Sequence, residues 1–252
     1  MQATERRFGG ERATRYDAIF DARGTDGYSL RSRLAATLEA LGDEPGVVLD
    51  AGMGPGRLCA ALDARGWEVW GVDTSAEMVE LARARVPAAA ERLRVAQIEA
   101  LPFAAGMFDA VAVTGALEYT ELDRAVPELA RVLRPGGVAA LSYPNSASLY
   151  RRWQVRVHYP LVRAAKRLVR REDADAPRAL ELVELSRLRA LLEAAGLTVE
   201  RLLPSGYLVV LPPLDALGPR IAERTAERLR RTRPELAPFL ATQVVVQARK
   251  DV

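Results

Sequence analysis

The stretch "VVLDAGMGPGRLCAAL", from Val47 to Leu62, contains the pattern that decides the fold. A short β-branched run, typical of a buried parallel strand, ends in Asp50. Gly52, Gly54 and Gly56 follow at alternate positions, and a helical pattern then begins. Because glycine lets a chain turn tightly and approach a ligand closely, the stretch predicts a ligand-binding loop. The alternative is a turn that only connects the strand to the helix.

The spacing of the glycines narrows the class of ligand. A dinucleotide fingerprint would have its third glycine where Arg57 stands, and a triphosphate-binding loop would require a lysine that is absent here. The next predicted strand, "WEVWGVD", ends in Asp73, and a carboxylate there can accept hydrogen bonds from ribose hydroxyls. The alternative for Asp73 is an acid favoured by the dipole of the following helix. Thr74 and Met78 would then lie near a base, although Met78 also suits the core.

Strands and helices alternate five times from the opening stretch to "GGVAALSYP". This rhythm predicts an α/β fold, a doubly wound parallel sheet with helices on both faces and ligands beyond the carboxyl ends of the strands. The strands "LTVERLLPS" and "TQVVVQARK" follow later. The chain has 252 residues, of which 49% are hydrophobic, and no run of 18 apolar residues, so we expect no membrane span. Its polar beginning lacks an apolar signal core and favours a cytoplasmic protein.

Five marks occur in order over about 100 residues: the glycine loop, Asp73, "EALPF", "FDAV" and "LRPGG". With them, the stretch from Val47 to Asn145 resembles the class I S-adenosylmethionine-dependent methyltransferases. It is most similar to the branch that includes the ubiquinone and menaquinone biosynthesis enzymes. The resemblance implies a Rossmann-like, seven-stranded, mostly parallel sheet with an antiparallel last strand, which "TQVVVQARK" supplies. It also implies S-adenosyl-L-methionine as the cofactor and S-adenosyl-L-homocysteine as its product.

The resemblance assigns cofactor contacts to residues that follow the strands. The loop with Asp50, Gly52, Gly54 and Gly56 would hold the methionine part, and Asp73 would bind the ribose. The remaining contacts are three residues around the adenine and two beside the methionine amino group: Gln97, Ile98, Glu99, Thr114 and Gly115. The family often has an aspartate where Gln97 stands, but a glutamine oxygen can accept the same hydrogen bond.

The chemistry expected is transfer of a methyl group to a small-molecule acceptor without a metal ion. Glu118, Tyr143 and His158 are candidates for a general base. The alternatives are a turn cap for Glu118 and a packing or surface role for His158, which is the single histidine. Tyr16, Tyr119, Tyr143 and Trp153 are candidates to line the acceptor site. Cys59, the single cysteine, is expected in the core.

The expected architecture is an N-terminal lid or cap of helices over residues 1–42, followed by the methyltransferase domain over 43–252. Insertions at about 146–184 and 206–238 would form the substrate cover. The first insertion is basic and amphipathic, with an apolar stripe interrupted by Pro160. Residues 149–171 could therefore contact an anionic membrane, cover a substrate or form a homodimer. Methylation of nucleic acid is disfavoured, because "TGALEY" stands where amino-methylating DNA enzymes have an Asn/Asp-Pro-Pro-aromatic motif.

Overall fold

The computed structural model describes residues 11–168, 185–208, 210 and 218–252. The strands are β1 Val47–Ala51, β2 Glu68–Asp73, β3 Leu93–Val95, β4 Phe108–Val113, β5 Leu133–Pro144, β6 Leu197–Tyr207 and β7 Ala241–Lys250. The α-helices are α1 Glu11–Asp21, α2 Thr25–Leu41, α3 Arg57–Asp63, α4 Ala76–Arg85, α5 Leu122–Val132, α6 Leu149–Trp153, α7 Tyr159–Leu168, α8 Leu185–Ala194, α9 Pro219–Thr232 and α10 Ala237–Leu240. Within these residues, no helix has the length and apolar character that a membrane span requires.

The seven strands form one sheet in the order β3-β2-β1-β4-β5-β7-β6. The pairs from β3 to β5 are parallel, whereas β7 lies between β5 and β6 and is antiparallel to both. The predicted seven-stranded, mostly parallel sheet with an antiparallel last strand is thereby confirmed. Since β6 runs in the same direction as β5, its end and the start of β7 reach the same edge as the carboxyl ends of β1, β2, β4 and β5.

Apolar side chains form a core on each face of the sheet. On one face, α2, α3 and α4 pack against the strands, and this cluster includes the buried Cys59. On the other face, α5 and α8 pack through residues such as Leu129 and Leu192. Helix α2 is therefore part of one of the two helix layers that cover the sheet, and not of a lid. Of the described residues in the expected lid over 1–42, the helix that lies outside these layers is α1.

The basic insertion is helical from Leu149 to Leu168, and Pro160, which interrupts its apolar stripe, lies within the helix. A π-helical turn, Gln154–His158, joins α6 to α7. Proline lacks an N–H and its ring crowds the carbonyl one turn earlier, and a widened turn accommodates both effects without ending the helix. The C-terminal part of the 149–171 segment, beyond Leu168, lies outside the described residues.

Candidate functional site

The glycine loop between β1 and α3 turns back towards the end of β2. Its three glycines have positive φ angles of 78°, 52° and 76°. The Gly52 N–H donates to the Val72 carbonyl at 2.8 Å, and the Gly54 N–H donates to Asp73 Oδ2 at 2.9 Å. These two bonds fix the loop against the neighbouring strand.

The three glycines differ in what surrounds them. A Cβ at Gly52 would lie 2.3 Å from the Cβ of Ala116, and one at Gly56 would lie 2.8 Å from that of Ala82. Close packing therefore explains these two. At Gly54, by contrast, a Cβ would meet no atom within 4 Å. The backbone at Gly54 thus faces open space beyond the strands, and this is the cradle that a cofactor would fill.

Asp73, at the end of β2, accepts hydrogen bonds from the N–H groups of Gly54 and Ser75, both at 2.9 Å. Burial raises the pKa of its carboxyl, while these backbone donors act in the opposite direction. A carboxylate offers about four lone-pair positions, so acceptor capacity remains for ribose hydroxyls. The cap of α4 is instead the Ser75 hydroxyl, which accepts from the Met78 N–H at 3.3 Å. Asp73 lies two residues before this cap, so the alternative of an acid favoured by the helix dipole remains beside the ribose role.

Asp50 was expected to contact the methionine part of the cofactor, but its side chain is buried, at only 1% exposed. The Cys59 thiol donates to its Oδ2 at 3.3 Å, and burial raises the pKa of the Asp50 carboxyl to about 7. The structure therefore places Asp50 in the interior, where it joins β1 to α3. Met78 is also buried, at 2% exposed, so it lies in the core, which was the alternative to a place near the base.

The expected adenine residues follow β3. Ile98 is buried and lies against the glycine loop, with its Cδ1 3.6 Å from the Cβ position at Gly52. Gln97 forms a single β-bridge with Ala100. Glu99 Oε1 accepts from the Glu121 N–H at 3.0 Å, which ties it to the segment that follows β4.

Thr114 and Gly115, after β4, lie next to helix α2, which adds Arg33 to the site; the sequence patterns did not predict this residue. The Thr114 hydroxyl lies 3.3 Å from that of Thr37 on α2, and the Gly115 N–H donates to Ser142 Oγ at 2.7 Å. The guanidinium of Arg33 lies 2.5 Å from the Cβ position at Gly115, and the φ angle of 74° at Gly115 favours glycine. Arg33 and Thr37 are four residues apart on the buried face of α2. Two polar residues in register with Ala36 and Ala40 were the signal in the sequence.

Helix α1 lies across the helices that begin and end near the glycine loop. Asp17 forms ion pairs with Arg57 and Arg85, both at 2.7 Å. Arg57 also contacts Asp21 and lies 5.4 Å from the centre of the Phe20 ring. Tyr16, expected at the acceptor site, has its hydroxyl 3.5 Å from Arg33 Nη2. The structure thus brings Tyr16 to the side of the site where Gly115 lies.

The catalytic candidates occupy different places. Glu118 and Tyr119 form a 3₁₀ turn, Leu117–Tyr119, directly after the β4 loop. Tyr143 is buried near the end of β5. His158 stacks on Trp153, with ring centres 5.3 Å apart and planes at 22°. His158 and Trp153 therefore pack on each other in the helical segment from Leu149 to Leu168, which we call the outer helical segment. This fits the alternative of a packing role for His158.

Comparison with known proteins places this geometry in a family. Residues 49–141 match a family model described as a methyltransferase domain. Over this range the chain is similar to the S-adenosylmethionine-dependent methyltransferases. The matched range includes the glycine loop, Asp73 and the residues after β3 and β4. The cofactor of this family is S-adenosylmethionine, and the open cradle at Gly54 beside Asp73 fits it.

Individual proteins agree with this family. A malonyl-[acyl-carrier protein] O-methyltransferase from Enterobacter lignolyticus is 40% identical over 133 residues, 51% of each chain. A demethylmenaquinone methyltransferase from Thermus thermophilus is 36% identical over 140 residues, 53% of this chain and 63% of the relative. A methyltransferase structure from Thermotoga maritima, described as a possible histamine N-methyltransferase, shares the fold over both whole chains at 19% identity and a TM-score of 0.62. The chain thus spans about half the length of the curated relatives it matches.

Proposed function

We propose that the protein is an enzyme that transfers a methyl group from S-adenosylmethionine to a small-molecule acceptor, such as a phenolic, quinone-like or natural-product metabolite. One observation carries this proposal. The Gly54 N–H and the Asp73 carboxylate are joined at 2.9 Å beside open space, beyond the carboxyl ends of β1 and β2. Ligands of doubly wound sheets bind at this edge.

Each part of the cofactor is assigned to different residues of the site. Asp73 would accept hydrogen bonds from the ribose hydroxyls, and the segment Gln97–Glu99 would surround the adenine. Thr114 and Gly115 would lie beside the methionine amino group. Since the Arg33 guanidinium lies against Gly115, we assign it to the methionine carboxylate, which a guanidinium can bind through two parallel hydrogen bonds.

Catalysis requires that the acceptor atom and the donor methyl lie in line. When bound, S-adenosylmethionine supplies an electrophilic methyl group on a sulfonium. The chain's contribution is to fix both partners, and such positioning can supply roughly 7–11 kcal/mol in favourable cases. Glu118 is our candidate to orient the acceptor or take its proton, because it follows the β4 loop and its Oε2 has no hydrogen-bond partner among the described residues.

The relatives support this acceptor class. The names of the Enterobacter and Thermus proteins specify malonyl-[acyl-carrier protein] and demethylmenaquinone, respectively, as the acceptors. Neither name specifies a nucleic acid as the acceptor. We extend only this shared feature to the present chain.

A second candidate acceptor is a lipid at a membrane surface. Four apolar side chains on the outer helical segment are between 37% and 64% exposed: Leu149, Val157, Leu161 and Val162. Arg152 and Arg156 are exposed on the same segment. An exposed basic and apolar helical surface is suited to anionic membranes. Co-sedimentation with phosphatidylglycerol vesicles, but not with phosphatidylcholine vesicles, is expected if this candidate is right; equal recovery in both supernatants would remove it.

The proposed function is tested by product formation. The protein is incubated with S-adenosylmethionine carrying a deuterated methyl group and with a fractionated metabolite extract, and products heavier by the labelled methyl group are sought by mass spectrometry. We expect labelled product from the unaltered protein and from Asp123→Ala, an exposed control, but not from Asp73→Ala. Cofactor binding without any labelled product would instead indicate a non-catalytic cofactor-binding protein.

A further inference from the structure

A group of buried polar side chains lies next to Gly115, and the methyl-transfer assignment above leaves most of it unused. Its members are each less than 10% exposed: Arg33, Ser142, Arg151, Ser205 and Gln243. We call them the buried polar cluster. Ser142 accepts from the Gly115 N–H, and Arg33 lies against Gly115 itself. The cluster therefore adjoins the expected methionine end of the cofactor.

The topology of the sheet assembles this cluster. Ser142 lies near the end of β5, and Ser205 lies near the end of β6, which runs in the same direction. Gln243, near the start of β7, pairs with Ser205 across the strands. Arg151 reaches the same place from α6. With the Gln243 amide oriented so that its oxygen faces Arg151, Arg151 Nη2 donates to that oxygen at 3.0 Å and the Gln243 nitrogen donates to the Tyr143 carbonyl at 3.1 Å.

The cluster contains more positive than negative charge. The positive charges of Arg33 and Arg151 repel each other, and Glu118 is the main charged group that stabilises the Arg151 cation. Burial lowers the pKa of the Arg151 guanidinium, as expected for a cation removed from water. S-adenosylmethionine would add a further net positive charge, because its sulfonium and ammonium groups outnumber its carboxylate. A buried site with this excess of positive charge favours an anion.

Hydrogen-bonding capacity in the cluster is also left over. Arg33 Nε and Ser205 Oγ are buried and have no partner among the described residues. The cofactor carboxylate would take Arg33, which leaves Ser205 Oγ for another ligand. Buried donors without partners are rare in folded proteins, and each calls for an explanation such as a ligand. Guanidinium groups together with a hydroxyl are the donors that carboxylates and phosphates bind.

From this juxtaposition of buried cations and unpaired donors, we propose that the methyl acceptor carries an oxyanion, a carboxylate or a phosphate, which Arg151 binds with help from Ser205. The inference rests on the proposed function, since it names the acceptor class of the same site. Arg33 stays with the cofactor carboxylate, and Arg151 anchors the acceptor on the β7 side. The acceptor is thereby held by a group distinct from the atom that receives the methyl.

The test uses the full chain saturated with S-adenosylhomocysteine, so that Arg33 is already occupied. Malonate and inorganic phosphate are the anionic probes, malonamide is the uncharged analogue of malonate, and sodium chloride holds the ionic strength constant. Calorimetry and thermal melting are expected to show binding of at least one anion and none of malonamide. Preference for malonate indicates a carboxylate, and preference for phosphate indicates a phosphorylated acceptor.

Variants distinguish specific recognition from general attraction of anions. Arg151→Met is expected to weaken the preferred anion at least tenfold, while Arg152→Met, the exposed neighbour, leaves it unchanged. Ser205→Ala removes a hydroxyl without a partner, so the fold is retained and binding of the anion falls several-fold. The Arg151→Lys variant, which keeps the charge, is expected to recover part of the affinity.

Two results would overturn the inference. If S-adenosylhomocysteine binds but neither anion binds more tightly than malonamide, the acceptor-site assignment is wrong and the proposed function stands. The same holds if Arg151→Met and Arg152→Met lose affinity equally. Absence of S-adenosylhomocysteine binding would refute the proposed function, and this inference with it.

Discussion

Asp73 offers the sharpest perturbation, because its carboxylate is assigned to the ribose and it also holds the Gly54 N–H. Replacement by alanine removes two expected hydrogen bonds to hydroxyls. Hydrogen bonds to charged groups contribute about 1.5–3 kcal/mol each, so the loss is about 3–6 kcal/mol. Since 1.4 kcal/mol is a factor of ten, Asp73→Ala should bind S-adenosylhomocysteine about 10²- to 10⁴-fold more weakly, measured by calorimetry.

The ribose assignment is separated from a purely structural effect by the choice of ligand. Adenosine should lose affinity in Asp73→Ala, whereas 2′,3′-dideoxyadenosine, which lacks the hydroxyls, should bind the variant and the unaltered protein equally. Asp123→Ala removes an exposed carboxylate that pairs with Arg187, and it should bind both ligands normally. If both nucleosides lose affinity to the same extent in Asp73→Ala, the reasoning on the ribose is refuted.

Four further outcomes are expected. Gly54→Val should abolish S-adenosylhomocysteine binding in calorimetry, because a β-branched side chain would enter the open cradle at a φ of 52°. Arg33→Met should weaken S-adenosylhomocysteine about 10- to 100-fold while adenosine, which has no carboxylate, binds unchanged. Asp50→Asn should flatten the pH dependence of unfolding measured in urea between about pH 4 and pH 7. Asp17→Asn should speed tryptic cleavage within α1, because it breaks the ion pairs with both arginines.

The pH prediction for Asp50 follows from the direction of its pKa shift. Its ordinary value is 3.8 and burial raises it to about 7, so the folded state binds more protons between these values. Stability of the unaltered protein therefore falls as pH rises through this window, by about 1.4 kcal/mol per pH unit at most. An unchanged slope in Asp50→Asn would show that Asp50 is charged in the fold.

For each of the other three predictions, one result would contradict the reasoning. Retained affinity in Gly54→Val would return the loop to a simple connection between strand and helix. Equal losses for adenosine and S-adenosylhomocysteine in Arg33→Met would place Arg33 in the fold rather than at the carboxylate. Unchanged cleavage in Asp17→Asn, compared with Asp123→Asn, would mean that the ion pairs do not hold α1 against the loop.

The sheet was predictable because its signals are local. The β-branched runs, the glycine loop and the final "TQVVVQARK" define strands over a few residues each. The Ser75 cap is local as well, since an N-cap depends on the residues that immediately follow it. The antiparallel direction of β7 was implied by the family resemblance, whereas its place between β5 and β6 is seen only in the structure.

The site was less predictable, because it depends on contacts between distant parts of the chain. Arg33 and Gly115 are brought together by packing of α2 on the sheet, and Arg151 meets Gln243 only through the antiparallel β7. Asp50 and Asp73 look alike in sequence, as acids that end strands. Their burial separates them, since Asp50 is closed off against Cys59 while Asp73 lies beside the open cradle.

The central claim is tested most directly by a crystal structure of the full chain with S-adenosylhomocysteine. The account predicts the ribose hydroxyls within hydrogen-bond distance of the Asp73 carboxylate, the backbone of Gly54 against the ligand and the methionine carboxylate on Arg33. A nucleoside bound elsewhere, with Asp73 still bonded only to backbone N–H groups, would contradict it.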